Sequence, residues 1–423
     1  MKLKHLFFTL LSLLTLTGCK SDSPDEAIAD KYCLMFYIIE GDKEHADMDR
    51  HTIESFIAAT ETTNVVGTYF LQPCKDSEKT STERYTIANG KATLDETWSM
   101  PKKDFDITNE RILAEFISWS AAQFPGYKYI IVPIGHGEVW TDIHDEPEAS
   151  TESRSLLRDD NTGLIMASSD FADAINISTV KFAAVIANVC LQANIENLAE
   201  WRDAATYIVA SESYMPDLGG PYAWLARKLD SKGGDSADLK QVLTDFVNVI
   251  GEYFDAYERE DLKIRTMTGL YDTQYLPTIE ADLTGIFSHM KASVNNLVPI
   301  TDLPAVYGQT YAEAYRRAIN AAPVVNSMDP EYRCVDLLQM LYNCCVYTAD
   351  HSMINAIESL RAHMKKFVIV SHASSGFDNS YHTVAISADL EKFANRKYVD
   401  AYRHCNFDLN TNYSAMMNAI AVK

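Results

Sequence analysis

Residues 181–201 read KFAAVIANVCLQANIENLAEW and contain the most informative junction of the chain. The mostly apolar run 181–189 is typical of a buried strand, and it ends directly at Cys190. A helical pattern follows at once, so the stretch predicts a strand that gives way to a helix at the cysteine. A thiol in this position either packs as a small hydrophobe or acts as a nucleophile that a helix N-terminus helps to ionise. Other segments of the chain indicate which of these two roles Cys190 has.

Short apolar runs and helical patterns alternate on both sides of this junction. The alternation predicts an α/β fold with a mostly parallel central sheet that helices flank on both faces. The polar segment 138–163 predicts a long loop, and beyond residue 236 the pattern becomes mainly helical. The expected strands are 32–39, 64–72, 84–88, 127–137, 181–189, 205–212, 367–371 and 383–387, and the expected helices are 50–60, 108–124 with Thr108 as its N-cap, and 167–176.

Composition excludes some classes of function. The chain has 423 residues and a formal net charge of −22, so nucleic-acid binding through general electrostatics is not expected. Its eight cysteines include no CxxC pair and no repeated metal-ligand spacing. Cys344 and Cys345 lie in an apolar, helical run, so we expect both in the core. No stretch after the N-terminal leader reaches the ~18 apolar residues of a membrane span, so no second membrane anchor is expected.

The N-terminus has the pattern of a bacterial lipoprotein. Two lysines precede a short apolar run, and LTGC at 16–19 resembles a lipobox, in which Cys19 becomes the lipidated first residue of the mature chain. An ordinary secretory signal is the alternative. Loss of residues 1–18 removes two lysines and no acids, which brings the net charge to −24. We therefore expect a cell-envelope lipoprotein of the outer membrane, on its periplasmic or surface face, held by lipid rather than by a basic patch.

Two of the predicted strands end in residues that can carry out catalysis. One ends in Gly135-His136-Gly137 and the other in Asn188-Val189-Cys190. Active sites gather at the carboxyl ends of parallel strands, so the two segments meet if the strands are neighbours. The histidine could take the thiol proton, and the backbone N–H groups of Gly137 and Cys190 could stabilise an oxyanion. The histidine lies 54 residues before the cysteine, in the order and rough spacing of caspases.

On these motifs the chain resembles the clostripain family of cysteine peptidases, which shares the caspase-like fold. GHG at 135–137 matches the family's strand ending in His-Gly, NVCLQ at 188–192 with Glu196 matches its nucleophile motif and following helix, and ASESYMPDLGGPY at 210–222 matches its next strand and glycine-rich turn. The resemblance implies a caspase-like sandwich with a largely helical C-terminal part. It also implies an exported endopeptidase that acts on a peptide or protein substrate and needs no cofactor.

The same resemblance assigns roles to individual residues. His136 is the catalytic base or ion-pair partner, and Cys190 is the nucleophile that forms an acyl-enzyme. The backbone of Gly137 and that of Cys190 form the oxyanion hole. Under this assignment the strand–helix junction exposes and activates the thiol.

The chain departs from the family at Asn188, where an aspartate is usual. That aspartate is associated with the pocket that accepts Arg or Lys at the cleavage site. A neutral amide offers no counter-charge to a buried cation, so Asn188 puts basic specificity in doubt but not the cysteine chemistry. Ser211, Glu212 and Asp217 are assigned to the same substrate-binding region. Either of the two acids could supply the missing charge; otherwise we expect both to be exposed. Gln192 stands where methionine is common and need not touch substrate.

The loop 138–163 carries two further features of the family. Family members are often activated by cutting themselves in the loop after the histidine, and Arg154 and Arg158 are the candidate self-cleavage sites here. Some relatives respond to calcium, and the loop has acids at 142, 145, 159 and 160. No spaced ligand motif such as an EF-hand is present, so we expect these acids to be solvated and assign no metal site.

Two other functions stay open from the sequence. A catalytically inactive lipoprotein could keep this fold to bind a peptide or glycan partner, which the changes at Asn188 and Gln192 favour and the retained His136 and Cys190 oppose. A serine or metal hydrolase is disfavoured because GxSxG and HExxH are absent. The resulting division of the chain is a signal peptide at 1–18, an acidic tether at 19–30, a caspase-like catalytic core at 31–235, and a helical region with closing strands at 236–423.

Overall fold

The central element is a sheet of nine strands. A computed structural model describes residues 30–41, 43–103, 105–137, 156–215, 220–230, 237–255, 266–296, 300, 308–325, 333–373 and 384–423. The strands of the sheet are β1 (Tyr32–Ile39), β2 (Val66–Gln72), β3 (Ser81–Ala88), β4 (Lys91–Pro101), β5 (Lys128–Ile134), β8 (Phe182–Ile186), β9 (Ala205–Ser211), β10 (Met267–Asp272) and β12 (Val368–Ala373). Their order in space is β12-β10-β9-β8-β5-β1-β2-β3-β4. The five central strands, from β9 to β2, run parallel, and the two strands added on each side pair antiparallel.

Helices cover both faces of this sheet. They are α1 (Lys43–Ala59), α2 (Glu110–Gln123), α3 (Ser168–Ser178), α4 (Ile195–Glu200), α5 (Tyr222–Leu229), α6 (Leu239–Asp255), α7 (Leu276–Asn295), α8 (Tyr311–Asn320), α9 (Leu337–Thr348), α10 (His351–Phe367), α11 (Leu390–Ala394), α12 (Arg396–Tyr402), α13 (Asn406–Thr411) and α14 (Tyr413–Val422). Two small pairs of strands complete the described chain, β6 (Leu157–Arg158) with β7 (Ile165–Met166), and β11 (Cys334–Asp336) with β13 (Ala385–Ser387).

β1 shows how the two faces are filled. All eight of its residues are buried, as expected for a central parallel strand that is covered on both sides. Because side chains alternate along a strand, Leu34 and Phe36 belong to the core cluster that contains α1, α5 and α6. Met35 and Tyr37 belong to the other cluster, which contains α2 and the C-terminal helices. The predicted α/β sandwich with a largely helical C-terminal part is confirmed.

The sequence missed five of the described strands, of which β6 and β7 have only two residues each. β4 is an edge strand whose residues are mostly exposed, so it has no apolar run that could have indicated it. β10 is buried but short, and Thr268 and Gly269 interrupt its apolar pattern. β11 has only three residues. The region beyond residue 236 therefore contributes β10 and β12 to the main sheet as well as helices.

Two expectations about local structure were wrong. The N-cap of α2 is Asn109 rather than Thr108, because the Asn109 side chain accepts the Arg111 N–H at 3.0 Å while the Thr108 hydroxyl donates to Asp106. The segment 138–163 was expected to be a loop throughout, but its described part, residues 156–163, includes β6. Residues 138–155 lie outside the described residues.

The sequence also led to expectations about Cys344 and Cys345 and about membrane-spanning segments. Cys344 and Cys345 are buried in the core, as expected. The seven cysteines that the structure describes are free thiols. In the described part of the chain, no helix has both the length and the hydrophobicity needed to cross a bilayer.

Candidate active site

The fold brings the two predicted catalytic loops together. β5 and β8 are neighbouring parallel strands. After β8 ends, the chain still pairs with β5, because the Asn188 N–H donates to the Pro133 carbonyl at 3.1 Å. His136 and Cys190 therefore follow two adjacent strand ends at the carboxyl edge of the sheet. The condition set by the sequence, that the two strands be neighbours, is met.

The two loops touch at Gly137. A Cβ atom on this residue would lie 1.9 Å from Val189 Cγ1 and 2.9 Å from the Leu156 carbonyl oxygen. Only a residue without a side chain permits such an approach. The contact holds the backbone of Gly137 against Val189, the residue that precedes Cys190. An oxyanion hole built from the N–H groups of Gly137 and Cys190 would require such proximity.

Gly41 is a residue of this site that sequence reasoning missed. A Cβ atom on Gly41 would lie 2.3 Å from His136 Nε2 and 2.6 Å from its Cδ2, so the imidazole ring lies directly over the end of β1. The His136 carbonyl accepts the Arg158 N–H at 3.2 Å. The ring and the backbone of His136 are thus positioned by different elements. The available indication in the sequence was Glu40-Gly41 directly after the apolar run 32–39, a pattern that by itself indicates only a loop.

Cys190 differs from the other cysteines in its exposure. It is half-buried, whereas the other described cysteines are buried. Burial raises the pKa of the Cys33 and Cys344 thiols, which keeps them protonated and unreactive. The Sγ atom of Cys190 accepts the Met215 N–H at 3.2 Å and lies 3.6 Å from the Met215 carbonyl oxygen. A backbone group beyond β9 therefore orients the accessible thiol.

The helix after the cysteine begins later than expected. α4 begins at Ile195, and Asn194 caps it by accepting the Asn197 N–H at 2.9 Å. Because the field of a helix N-terminus falls off within about one turn, α4 does not act directly on the Cys190 thiol, which corrects the sequence-based interpretation. The chain instead makes a tight turn in which Leu191 has a left-handed φ of 62°.

The segment 191–194, which connects Cys190 to α4, is fixed from both sides. The Leu191 N–H donates to Ser213 O at 2.9 Å and the Ala193 N–H to Ser211 O at 2.8 Å, which ties the segment to the end of β9. On its other side the Ala385 N–H donates to Ala193 O at 3.0 Å, so that β13 lies next to it. The nucleophile loop thereby becomes part of a network that includes the C-terminal region.

Gln192 contacts both the loop that carries Cys190 and the loop that carries His136. Its side chain is fully buried, donates to the Cys190 carbonyl at 2.8 Å and accepts from Asn197 Nδ2 at 2.8 Å. Its Nε2 would also lie 3.0 Å from a Cβ atom on Gly137. Gln192 thus links the nucleophile loop, the histidine loop and α4.

Glu196 joins α4 to the closing part of the chain. Its carboxyl group is fully buried, and its Oε1 accepts the Tyr402 hydroxyl at 2.6 Å and the Ser387 N–H at 2.9 Å. Burial raises the pKa of this carboxyl above its ordinary value, and the hydrogen bonds from Tyr402 and Ser387 oppose that rise only in part.

The residues assigned to substrate binding have different environments. Asn188 is half-buried and lines a pocket beside the loops. The Ser211 hydroxyl is buried and donates to Met267 O at 3.1 Å. Glu212 is 1% exposed, so the expectation that it is an exposed acid was wrong. Three predicted residues lie outside the described part of the chain: Cys19, Arg154 and Asp217.

The described acids of the 138–163 segment are not all solvated. Asp159 is fully buried, and its carboxylate accepts hydrogen bonds from Gln72 Nε2 at 3.1 Å, Thr162 Oγ1 at 2.9 Å and the Asn161 N–H at 3.0 Å. Asp160 forms an ion pair with Arg158 at 3.0 Å. Positions 142 and 145 lie outside the described residues. Within the described ranges, no group of three or more His, Cys, Asp or Glu side chains is arranged to hold a metal ion.

Known proteins match both the sequence and the fold. The family model of the clostripain family, peptidase C11, matches residues 54–416. A secreted C11 cysteine protease from Bacteroides thetaiotaomicron, solved with an irreversible peptide inhibitor, is 11% identical with a TM-score of 0.65, covering 91% of this chain and 99% of that chain. An inactive zymogen C11 protease from Parabacteroides distasonis is 15% identical with a TM-score of 0.63, covering 91% and 98%. No curated protein sequence matches the chain.

Proposed function

The chain belongs to the clostripain family of cysteine peptidases, and on this premise we propose that it is an endopeptidase with Cys190 as nucleophile and His136 as base. The observation that carries the proposal is the contact between the two loops after β5 and β8, where Gly137 lies against Val189. This contact joins the segments of a half-buried thiol and of an imidazole at one edge of the sheet. The other described cysteines are buried and offer no comparable nucleophile.

In the proposed first half of the reaction, Cys190 Sγ attacks the carbonyl carbon of a peptide bond. The thiol proton passes to the imidazole of His136, and the carbonyl oxygen becomes an oxyanion. The N–H groups of Gly137 and Cys190 donate to this oxygen, whose charge they stabilise most strongly in the tetrahedral state. The imidazolium then protonates the leaving amine, the C–N bond breaks, and a thioester to Cys190 remains.

The second half releases the acyl group. A water molecule gives a proton to the His136 imidazole and attacks the thioester carbon. The same oxyanion hole stabilises the second tetrahedral state. The C–S bond then breaks, the thiolate takes the proton back from His136, and a carboxylic acid is released. Overall, one peptide bond is hydrolysed and one water molecule is consumed.

The test is cleavage of unfolded casein by purified protein and by matched variants. We expect Cys190→Ala to lower the rate by more than about 1000-fold and His136→Ala by about 100- to 10,000-fold, because the nucleophile and its base act as a unit. Cys345→Ala, which removes a buried thiol of α9, is the control and should stay active. Equal cleavage by the Cys190→Ala variant would contradict the proposal.

We further propose that the protein is anchored to the cell envelope through lipid on Cys19. The support is the lipobox-like LTGC at 16–19, which follows an apolar leader. Metabolic labelling with a tagged fatty acid should mark the wild-type protein, and Cys19→Ser should abolish the label and release the protein from membranes. A labelled Cys19→Ser variant would show that the lipid, if any, is elsewhere.

A third proposal concerns maturation. We propose that an inactive precursor is cut within 138–163, after Arg154 or Arg158. The position of this segment between His136 and β7 supports the proposal, because a cut there would alter the backbone next to the catalytic histidine. The C11 protease of similar fold from Parabacteroides distasonis was solved as an inactive zymogen, which supports a precursor form here.

A further inference from the structure

Glu40 is a buried acid at the carboxyl end of β1, directly before Gly41. It is 1% exposed. Its N–H donates to the Gln72 carbonyl at 3.0 Å, and its Oε2 accepts the Cys74 N–H at 3.0 Å. Gln72 is the last residue of β2, and Cys74 follows it by two positions. The backbone and the side chain of Glu40 therefore both connect the end of β1 to the end of β2.

The turn that binds this carboxylate is itself held by a buried cation. Lys102 is 5% exposed, and its ammonium group donates to three backbone carbonyls of the 74–77 turn at distances of 2.9, 3.2 and 2.9 Å. On the other side of the carboxylate, Glu40 Oε1 lies 3.6 Å from Arg50 Nε in α1. Arg50 offsets part of the cost of burying the charge. The carboxylate thus has a counter-charge and is attached to a segment whose own backbone is fixed.

The residues on either side of Glu40 both lie against the loop that carries the proposed base. A Cβ atom on Gly41 would lie 2.3 Å from His136 Nε2. A Cβ atom on Gly135, the residue before His136, would lie 2.7 Å from the Ile39 carbonyl oxygen. The end of β1 therefore borders the imidazole ring as well as the backbone that carries it.

The contact with Gly41 supports the imidazole along one side. Nε2 is the ring atom nearest to the position of a Cβ atom, followed by Cδ2 at 2.6 Å and Cε1 at 3.2 Å. A ring that rests on the backbone in this way has to move when the backbone moves. Because displacements near 1 Å in a catalytic site can cost about 100-fold in rate, whatever fixes Gly41 affects the reaction.

Resting on the proposed function, we propose that Glu40 is a positioning residue for His136. Its buried carboxylate holds the end of β1 against the 74–77 turn, and the end of β1 in turn holds the imidazole where it can exchange a proton with Cys190. Glu40 acts through the backbone on either side of it. The carboxylate is therefore assigned no contact with substrate or with the reacting atoms.

The hydrogen bond from the Cys74 N–H, rather than the charge of Glu40, is the property that this role requires. The Arg50 side chain is 47% exposed, so water weakens its attraction to the carboxylate. Glutamine at position 40 keeps an oxygen acceptor at the same reach, aspartate keeps the charge but is one methylene shorter, and alanine keeps neither. These three substitutions separate the acceptor from the charge.

The first test is kcat and KM on fluorescently labelled casein, measured below the unfolding temperature of every variant. We expect Glu40→Ala to lower kcat by about 100-fold and to leave KM within about threefold, because the imidazole is displaced while the surface that binds substrate is not. Glu40→Gln should stay within about fivefold of the wild type, and Glu40→Asp should be slower than Glu40→Gln by about 10-fold or more.

Glu280→Ala is the matched control. Glu280 in α7 is 5% exposed, and its carboxylate accepts hydrogen bonds from Arg202 at 2.7 Å and from Asn410 at 3.0 Å. The substitution therefore also removes a buried carboxylate with an arginine partner, but in a helix that packs on α10, α13 and α14. It should lower the unfolding temperature and leave kcat unchanged. An equal loss of kcat in Glu280→Ala would overturn the inference, since lost stability would then account for both variants.

A second test does not depend on cleavage. Iodoacetamide alkylates the Cys190 thiolate, and pairing with the His136 imidazolium keeps part of this thiol ionised at pH 6. We expect Glu40→Ala to slow alkylation by about 10-fold or more at pH 6 and to leave it within about twofold at pH 9.5, where a free thiol is ionised without help. His136→Ala should show the same pattern, and Glu280→Ala should change neither rate. Mass spectrometry of the peptide that contains Cys190 measures these rates.

Unchanged kcat and unchanged alkylation at pH 6 in Glu40→Ala would overturn the inference, and so would equal rates of Glu40→Gln and Glu40→Asp. If Glu40→Ala does not fold, the comparison of the glutamine and aspartate variants decides. Cleavage that Cys190→Ala abolishes and Glu40→Ala leaves unchanged refutes this inference but not the proposed function. Cleavage that does not depend on Cys190 refutes the proposed function, and alkylation at pH 6 then still tests whether Glu40 positions His136.

Discussion

Two glycines make the closest contacts at the candidate site. Gly41 lies under the His136 ring, and Gly137 lies against Val189, next to the nucleophile. In both places a Cβ atom would come closer to its neighbour than van der Waals contact allows. A single methyl group would therefore change the geometry of the site while leaving its reactive groups in place.

We predict that Gly137→Ala lowers kcat/KM by about 100-fold, since displacements near 1 Å in a catalytic site can cost that much. The new methyl group would meet Val189 Cγ1, so Gly137→Ala with Val189→Ala should recover part of the activity. Rates on casein and thermal unfolding of each variant provide the measurement. Full activity of Gly137→Ala would show that the loops are not held as closely as described.

The control for this prediction is Gly285→Ala. Gly285 lies within α7, and a Cβ atom there would meet nothing within 4 Å. Alanine has the higher helix propensity, so the control should be as stable as the wild type or more so, with unchanged activity. An inactive Gly285→Ala variant would mean that the protein responds to glycine substitutions in general.

Among the structural elements, the small β6–β7 pair fixes the chain around Arg158, one of the two candidate cleavage sites. Arg158 is tied through its N–H to His136, and its side chain pairs with Asp160. The next residue, Asp159, is buried and fixes the turn by accepting hydrogen bonds from Gln72 and Thr162. A peptidase needs several residues in an extended, accessible form, so the bond after Arg158 is protected by this element.

We therefore predict that the maturation cut follows Arg154 rather than Arg158. Mass spectrometry of the purified, processed protein should find a new N-terminus at Ser155, and Arg154→Ala should prevent that cut while Arg158→Ala should not. A new N-terminus at Asp159 in the wild type would contradict the prediction.

Asp159→Ala provides a positive control for the protection. Loss of the buried carboxylate removes its hydrogen bonds from Gln72 and Thr162, which should loosen the turn by about 1–3 kcal/mol. Cleavage after Arg158 should then appear beside cleavage after Arg154. If the variant is cut only after Arg154, the turn is not what protects Arg158.

Across the whole molecule, the C-terminal region is connected to the nucleophile loop through a buried network. Glu196 in α4 accepts from Ser387 in β13 and from Tyr402 in α12. β13 also lies beside Ala193, next to the nucleophile turn. The catalytic core and the closing region thus share buried polar contacts, so we expect them to unfold together.

The pH dependence of stability should reflect Glu196. Burial raises its pKa in the folded state, so the unfolded chain releases this proton near the ordinary value of 4.5 while the folded chain retains it to higher pH. The corresponding stability is present below that value and is lost as pH rises through the folded pKa. We predict that Glu196→Gln, which cannot ionise, loses less stability than the wild type between pH 5 and pH 8, measured by urea unfolding.

Glu196→Ala distinguishes the charge from the hydrogen bonds. It leaves the Tyr402 hydroxyl and the Ser387 N–H without their acceptor and should cost about 1–3 kcal/mol at both pH values. If Glu196→Gln loses as much stability with pH as the wild type, other buried carboxyls such as Asp408, whose pKa burial also raises, are responsible.

The sequence by itself determined the central strands of the fold and the proposed pair, His136 and Cys190. Central strands are buried on both faces and read as apolar runs, so β1, β5, β8 and β9 could be located from local composition. The motifs at His136 and Cys190 follow two of these runs. The parallel arrangement then requires that both lie at one edge of the sheet, which is why the candidate site could be predicted before any contact was known.

Only the tertiary structure decided how the site is held. Gly41 becomes part of the site because β1 lies beside β5, and Met215 orients the thiol because β9 lies beside β8. The pocket beside Asn188 depends on α6, which is distant in sequence from that residue. Local patterns record the burial and periodicity of a segment, but which segments become neighbours depends on pairing and packing summed over the whole chain.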